Sequence, residues 1–236
     1  MIDWISTLQT HPLYGILVTI AAYVVAHAAW RRLGSPALLH PVLVATALVA
    51  LMLLGTGMSY DIYFAQASLL NEALAIVVVL LAVPLYRQFH LILEAGAPLG
   101  AALVAGSVVA LVTALALPGA VGATNELLAT LAPKSTTAAV AVEIAARLGG
   151  ITGLTAVVVI STGIFGAVFG PAILAAVGVE DDRAKGFALG VASHAIGTAR
   201  AFQISEVAGA FATLGMILNA MLTVVLAPLA VIFVTA

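Results

Sequence analysis

Two polar clusters stand out in a chain that is otherwise almost all hydrocarbon. Lys134, Ser135, Thr136 and Thr137 follow Pro133, and further along come Ser193, His194, Gly197 and Thr198. A lysine near a bilayer midplane costs at least about 2.5 to 3.5 kcal/mol, so such a residue is usually paired, hydrated or functional. Its ammonium could counter a carboxylate, and the neighbouring hydroxyls could donate to one. Pro133 removes a backbone donor and clashes with the preceding turn, which frees carbonyls in mid-span and lets a half-helix start with free donors. His194 could relay a proton near neutral pH. A catalytic Ser193–His194 pair is disfavoured, because adjacent residues point apart on a helix and neither a nucleophile elbow nor an acid partner is visible.

The elements that must hold these clusters are set by composition. The chain has 236 residues, 64% hydrophobic and 8% charged, with a mean hydropathy of +1.23, which predicts an all-α polytopic membrane protein embedded in a lipid bilayer. With eight Lys plus Arg and a net charge of -2, it offers no basic face for nucleic acid. The absence of cysteine excludes disulfides, thiol chemistry and cysteine metal sites. No metal-ligand spacing, carboxylate pair or phosphate loop is present, so neither a metal, a cofactor nor an enzyme activity is expected. Asp3 and the lack of Lys or Arg before Arg31 argue against a cleaved leader, so the first apolar run reads as a retained span.

Charge-free runs long enough to cross the hydrocarbon core extend from Trp4 to Trp30, Leu33 to Tyr60, Ala95 to Asn125, Leu148 to Val179 and Val207 to Ala236. Three pieces are short or interrupted: Ala73 to Tyr86, Leu127 to Ala146 and Gly186 to Ala199. Broken segments of this kind point to a transporter's binding site, so the site should be built from these three. Seven or eight segments are expected, some discontinuous or re-entrant, with two halves related by an inverted repeat as an analogy to other transporters. His27 reads as an interfacial residue, and Tyr60-Asp-Ile-Tyr63 as a polar connection with an aromatic anchor. Nothing between Ala97 and Val121 suggests chemistry. Glu143 and Arg147 are spaced for a helix-surface ion pair, and Glu180 to Lys185 reads as a solvated turn. Gly163, Gly166 and Gly170 form a small-residue face suited to close packing, which also leaves a homo-oligomer open. Asn219, alone and polar in the last run, reads as a helix–helix hydrogen bond.

The segments LAPKSTT, EIAARLGGITGLTAVVVISTGIFGAVFGP, GFALGVASHAIGTARA and EVAGAFATLG closely resemble the LrgB/CidB family of bacterial membrane proteins. That family includes the plastid glycolate/glycerate translocator. GTGMSYDIYF and AVPLYRQ extend the resemblance more loosely, so residues 1–236 read as one LrgB-like domain, with a looser half 1–123 and a family-like half 124–236. The resemblance implies a multi-pass protein of the bacterial inner membrane that moves small monocarboxylates such as pyruvate, glycolate or glycerate. It also implies a small LrgA/CidA-type membrane partner, and an older view implies a holin-like or antiholin-like regulator of murein hydrolases and autolysis. Carried over, the family's polar break falls on Pro133, Lys134, Ser135 and Thr137, and its SHAIGTA segment on Ser193, His194, Gly197 and Thr198. The family pattern PKSVTTP reads PKSTTAA here, with Ala138 for a threonine and Ala139 for the second proline. Ile76 stands where another proline is expected, with Val77 and Leu80 in place of alanines, and His40 replaces an asparagine.

The reading that follows is alternating access. A small carboxylate sits between Lys134 with its hydroxyl neighbours Ser135, Thr136 and Thr137 and the Ser193–Thr198 segment, and His194 serves as proton partner. The rival is a regulatory membrane subunit. Topology stays open on charge alone. If every segment crosses, Arg31, Arg32, Arg87 and Arg147 share the cytoplasmic side; if Leu127 to Ala146 enters and returns, Arg183 and Lys185 join that side and Arg147 becomes the exception.

Overall fold

The computed structural model describes residues 10–33, 39, 41–80 and 82–235, all helices and connections. Asp3, Trp4, Pro36 and His40 lie outside the described residues. Four helices are long and apolar enough to cross a membrane: α1 (Tyr14–Arg32), α6 (Phe89–Ala120), α9 (Thr152–Ala176) and α11 (Glu206–Thr235). A shorter apolar helix, α2, spans Pro41–Thr56. The chain is therefore an all-helical membrane protein, and it divides into two units, Met1–Leu80 and Leu81–Ala236.

In the first unit the stretch expected as a polar connection is instead a short helix, α3 (Tyr60–Gln66). The Ser59 hydroxyl caps it by accepting from the Ile62 amide, and Asp61 sits in the first turn, where a negative charge is favourable. Gly15 lets α1 approach, since a Cβ there would lie 2.8 Å from the Tyr63 carbonyl oxygen. The Tyr63 hydroxyl shares a 2.7 Å hydrogen bond with that of Thr19, so this tyrosine ties two helices together, while Tyr60 stays exposed. His27 lies between Tyr23 and Trp30 in an aromatic row along α1. The helix α4 (Ser68–Leu80) ends the unit.

The second unit holds α5 (Ala82–Arg87), α7 (Asn125–Leu131), α8 (Ala138–Arg147), α10 (Asp182–Phe202) and the three long helices α6, α9 and α11. Both of its polar segments turn back instead of crossing. α7, entered through the Thr124 cap, is only 7 residues long, or about 10 Å. After the break α8 runs back beside it. Ile144 and Leu148 pack in one cluster with Leu128, with Leu115 near the end of α6 and with Val231 near the end of α11. Gly150 abuts the Thr130 amide, the Ile151 amide donates to Thr130 Oγ1 at 2.8 Å, and Thr155 Oγ1 donates to the Thr130 carbonyl at 3.1 Å. Ala123 just before α7 and Leu148 just after α8 pack against that same cluster, so the chain leaves this hairpin at the end where it came in.

The second hairpin lies inside α10, where Ser193 (φ -135°, ψ 15°) and His194 (φ 42°, ψ -133°) depart from helical geometry. Past this reversal Gly197 abuts the Leu189 carbonyl, and Ala201 packs with Leu189, Ala208 and Ala212. The Asp182 carboxylate at the start of α10 lies beside the Ser205 hydroxyl that follows it, which places both ends of the hairpin together. Arg87 meets Glu206 at 3.6 Å at that same end. Asp181 caps α10 by accepting from the Arg183 amide at 2.7 Å, and its hydrogen bonds from Arg183 hold the carboxyl down to about 2. The first limb lies so close to α11 that a Cβ on Gly186 or Gly190 would overlap the carbonyl of Ala208 or Ala212. Small residues let helix backbones approach in this way.

One side chain joins the two hairpins. Asn219, wholly buried in α11, donates to the Ser135 carbonyl at 2.9 Å and the Val191 carbonyl at 3.2 Å. Its Oδ1 accepts from Ser107 Oγ of α6 at 2.7 Å. Asn219 thus makes the inter-helix bond its position suggests, and Ser107 supplies the chemistry that its apolar surroundings hid. Asn219→Leu leaves two carbonyls and a hydroxyl without these partners in hydrocarbon, and at about 0.6 to 1.7 kcal/mol per inter-helix bond it should destabilise the second unit by about 2 to 5 kcal/mol. Reversible unfolding in mixed micelles measures this. Gly190→Ala should be more damaging than Gly100→Ala, because the Gly100 position has nothing within 4 Å; equal midpoints for the two variants would refute the close-approach argument.

Candidate functional site

The tips of the two hairpins meet alongside the middle of α9. At the first tip α7 stops at Pro133, which is buried and supplies no N–H. Two tight turns follow, Lys134 N to Leu131 O and Thr136 N to Pro133 O, both 3.1 Å. Thr137 then takes an extended conformation (φ -67°, ψ 149°) and begins α8 without a side-chain cap bond. At the second tip a positive φ on a non-glycine residue is a strained geometry that its surroundings must hold. They do so through the His194 ring, whose Nε2 lies 2.9 Å from the Val159 carbonyl, and through Thr198 Oγ1, which donates to the His194 carbonyl at 2.9 Å.

α9 offers its glycine face to this second tip. A Cβ on Gly163 would stand 2.6 Å from His194 Cε1, and one on Gly166 would overlap Ser193 Oγ. The face is a packing surface, as its spacing suggests, and it also borders the cavity that opens between the tips. This cavity measures about 340 Å³, and Lys134, Thr162, Gly166, Gly170, Leu189 and Ser193 line it.

The structure brings Lys134 and Ser193 to one cavity and distributes the other expected residues around it. Ser135 and Thr136 are buried behind the first tip, with the Ser135 carbonyl held by Asn219 and Thr136 Oγ1 lacking a hydrogen-bond partner. Thr137 starts α8. His194 is buried with its ring against the α9 backbone, and Gly197 abuts the opposite limb of its own hairpin. Thr198 donates within α10 and approaches Met216 Sδ at 3.9 Å. Thr162, absent from the sequence-based set, adds a second hydroxyl to the cavity, although its Oγ1 donates to the Val158 carbonyl at 2.8 Å. Lone threonines in apolar helices commonly back-bond in this way, which makes them hard to single out from sequence.

Charge placement separates Lys134 from every other cation of this unit. Arg87, Arg147, Arg183 and Lys185 each pair with a carboxylate near a helix end, at 3.6, 2.7, 2.8 and 3.3 Å, and Arg200 donates to Gln203. Among the described residues no carboxylate or carbonyl lies within bonding distance of the Lys134 ammonium. An unpaired ammonium among apolar side chains needs water or an anion. Among the described residues there is also no cluster of His, Asp or Glu able to hold a metal ion.

Comparison with known proteins identifies the family of the chain. The chain matches the LrgB-like family over residues 19–233. The Bacillus subtilis (strain 168) protein named "Uncharacterized protein YxaC" is 36% identical over 216 residues, 92% of this chain and 94% of that one. The "Holin-like protein CidB" of Staphylococcus aureus (strain N315) is 34% identical over 217 residues, again 92% of this chain and 94% of its own length. A Haemophilus influenzae protein named "Uncharacterized protein" is 34% identical over 187 residues, 79% of this chain and 80% of that one. No solved structure matches. With the family match covering nearly the whole chain and relatives above 30% identity along their length, the chain belongs to the LrgB-like family.

Proposed function

We propose that the chain carries small monocarboxylates, of the pyruvate, glycolate or glycerate type, across the bacterial inner membrane by alternating access. The observation that carries this reading is the unpaired Lys134 in a cavity between two opposed hairpin tips. Its ammonium is the counter-charge for the substrate carboxylate, and Ser193 is the hydroxyl placed to orient it. A cavity of about 340 Å³ holds roughly ten waters' worth of liquid, enough for a small acid with part of its hydration. Ser135, Thr136, Thr137, His194, Gly197 and Thr198 shape the tips. In this reading His194 exchanges protons with the substrate path only when its bond to the Val159 carbonyl opens. The hairpins enter from opposite ends of the unit, which supports the inverted-repeat analogy.

A second reading has its own support in the name "Holin-like protein CidB" carried by relatives at 34% identity. In it the chain is a regulatory membrane subunit that controls murein hydrolase activity and autolysis with an LrgA/CidA-type partner. The two readings separate in proteoliposomes supplied with labelled pyruvate or glycolate under an imposed pH gradient, with and without such a partner. Saturable uptake is the expected result. Lys134→Met should lower it by about 30-fold or more, the effect of losing one partner of a desolvated charge pair at 2 kcal/mol or above. Ser193→Ala should raise the half-saturation concentration about three- to tenfold, as for one neutral hydrogen bond. Folded protein that moves nothing in either setting would sink the transport reading and leave the regulatory one.

A further inference from the structure

We infer that the cavity is an anion-attracting vestibule open toward the end of the second unit that carries Arg87, Arg183, Lys185 and Arg200, and that this end faces the cytoplasm. The lining gives the direction. From Lys134 and Ser193 at the tips it runs along α9 to Ile173 and Leu174, within a turn of the helix end at Ala176, and along the first limb of α10 to Ala188. That limb begins at Asp182, beside Ser205, and the same end holds the Arg87–Glu206 pair. Toward the other end the first hairpin is closed by a packed hydrocarbon cluster that includes Leu115, Leu128, Ile144 and Val231.

Hydration follows from charge. The cavity is the space that Lys134 faces, and an ammonium without a protein partner is not stable against lipid, so water reaches it by this route. Orientation follows from the hairpins. Because both return to their own side, four of the five terminal cations of the unit gather at one end, and Arg147 alone is left at the other. Such an excess marks the cytoplasmic face.

The inference rests on the transport reading only for what the vestibule admits, and its test needs no flux. Because the natural chain has no cysteine, single cysteines can be placed without removing any other. Ala192→Cys and Ala188→Cys report the vestibule, Glu180→Cys its own end and Val121→Cys the opposite end. With membrane-impermeant methanethiosulfonates, Ala192→Cys, Ala188→Cys and Glu180→Cys should react in inside-out vesicles and not in intact cells, and Val121→Cys the reverse. Near Lys134 the anionic reagent should react about fivefold faster relative to the cationic one than it does at Glu180→Cys, and Lys134→Met should remove that preference. Reaction of both vestibule cysteines from the Val121 side, or from neither side, would overturn the access route. Labelling of Glu180→Cys in intact cells would overturn the orientation, and a charge ratio unchanged by Lys134→Met would overturn the attraction. Absent uptake combined with the expected labelling would count against the transport reading alone.

Discussion

A backbone that reverses inside hydrocarbon leaves carbonyls and amides that no water can satisfy, and each such group costs several kcal/mol. The second unit reverses twice, after Pro133 and at Ser193–His194, and its remaining architecture answers that demand. Each hairpin contributes one tip carbonyl, Ser135 or Val191, to the single Asn219 amide, and Ser107 fixes which way that amide points. Thr130, Thr155 and Thr198 take up further backbone groups near the breaks. The amide has two donor hydrogens and spends one on each hairpin, so neither tip is held independently of the other. Small residues are then required around it, because the tips reach these donors only where Gly163, Gly166 and Gly190 allow the backbones to approach.

Within that frame charge is sorted by depth. The end groups pair with carboxylates on exposed helix termini, where such pairs contribute at most about 1 kcal/mol. Lys134 sits on a tip with none. If stability alone had shaped this position, an apolar residue would serve better. Its place beside a cavity fits the proposed role of a group whose partner arrives from outside the fold.

How much of this was legible in the sequence depends on whether each feature is written in residue type or in contact. Pro133 with Lys134 is written in type, since neither belongs inside a spanning helix, and the break lies where those residues put it. The reversal at His194 is not: Gly186 to Ala199 reads only as a short or interrupted piece, the positive φ falls on histidine instead of glycine, and only the approach of Gly197 to Leu189 reveals the turn. Asn219 was readable as an inter-helix bond because it is polar in an apolar run, but its partners lie 84, 28 and 112 residues away. The helix over Tyr60–Gln66 carried a readable start signal in Ser59 and Asp61, which its tyrosines obscured.

The two prolines missing from the family pattern have different physical consequences. Ala138 is the first residue of α8 and Ala139 the second, positions whose amides have no intrahelical acceptor, so a proline there removes nothing the helix uses. The break persists without it, because Thr137 is already extended and Pro133 already ends α7. Ile76 is another matter. It lies inside α4, which runs unbroken from Ser68 to Leu80, and its side chain is exposed. A proline there would cost about 3 kcal/mol or more and force a kink one turn earlier. The chain therefore keeps its lysine-bearing break without a second proline, while its fourth helix runs unbroken through Ile76.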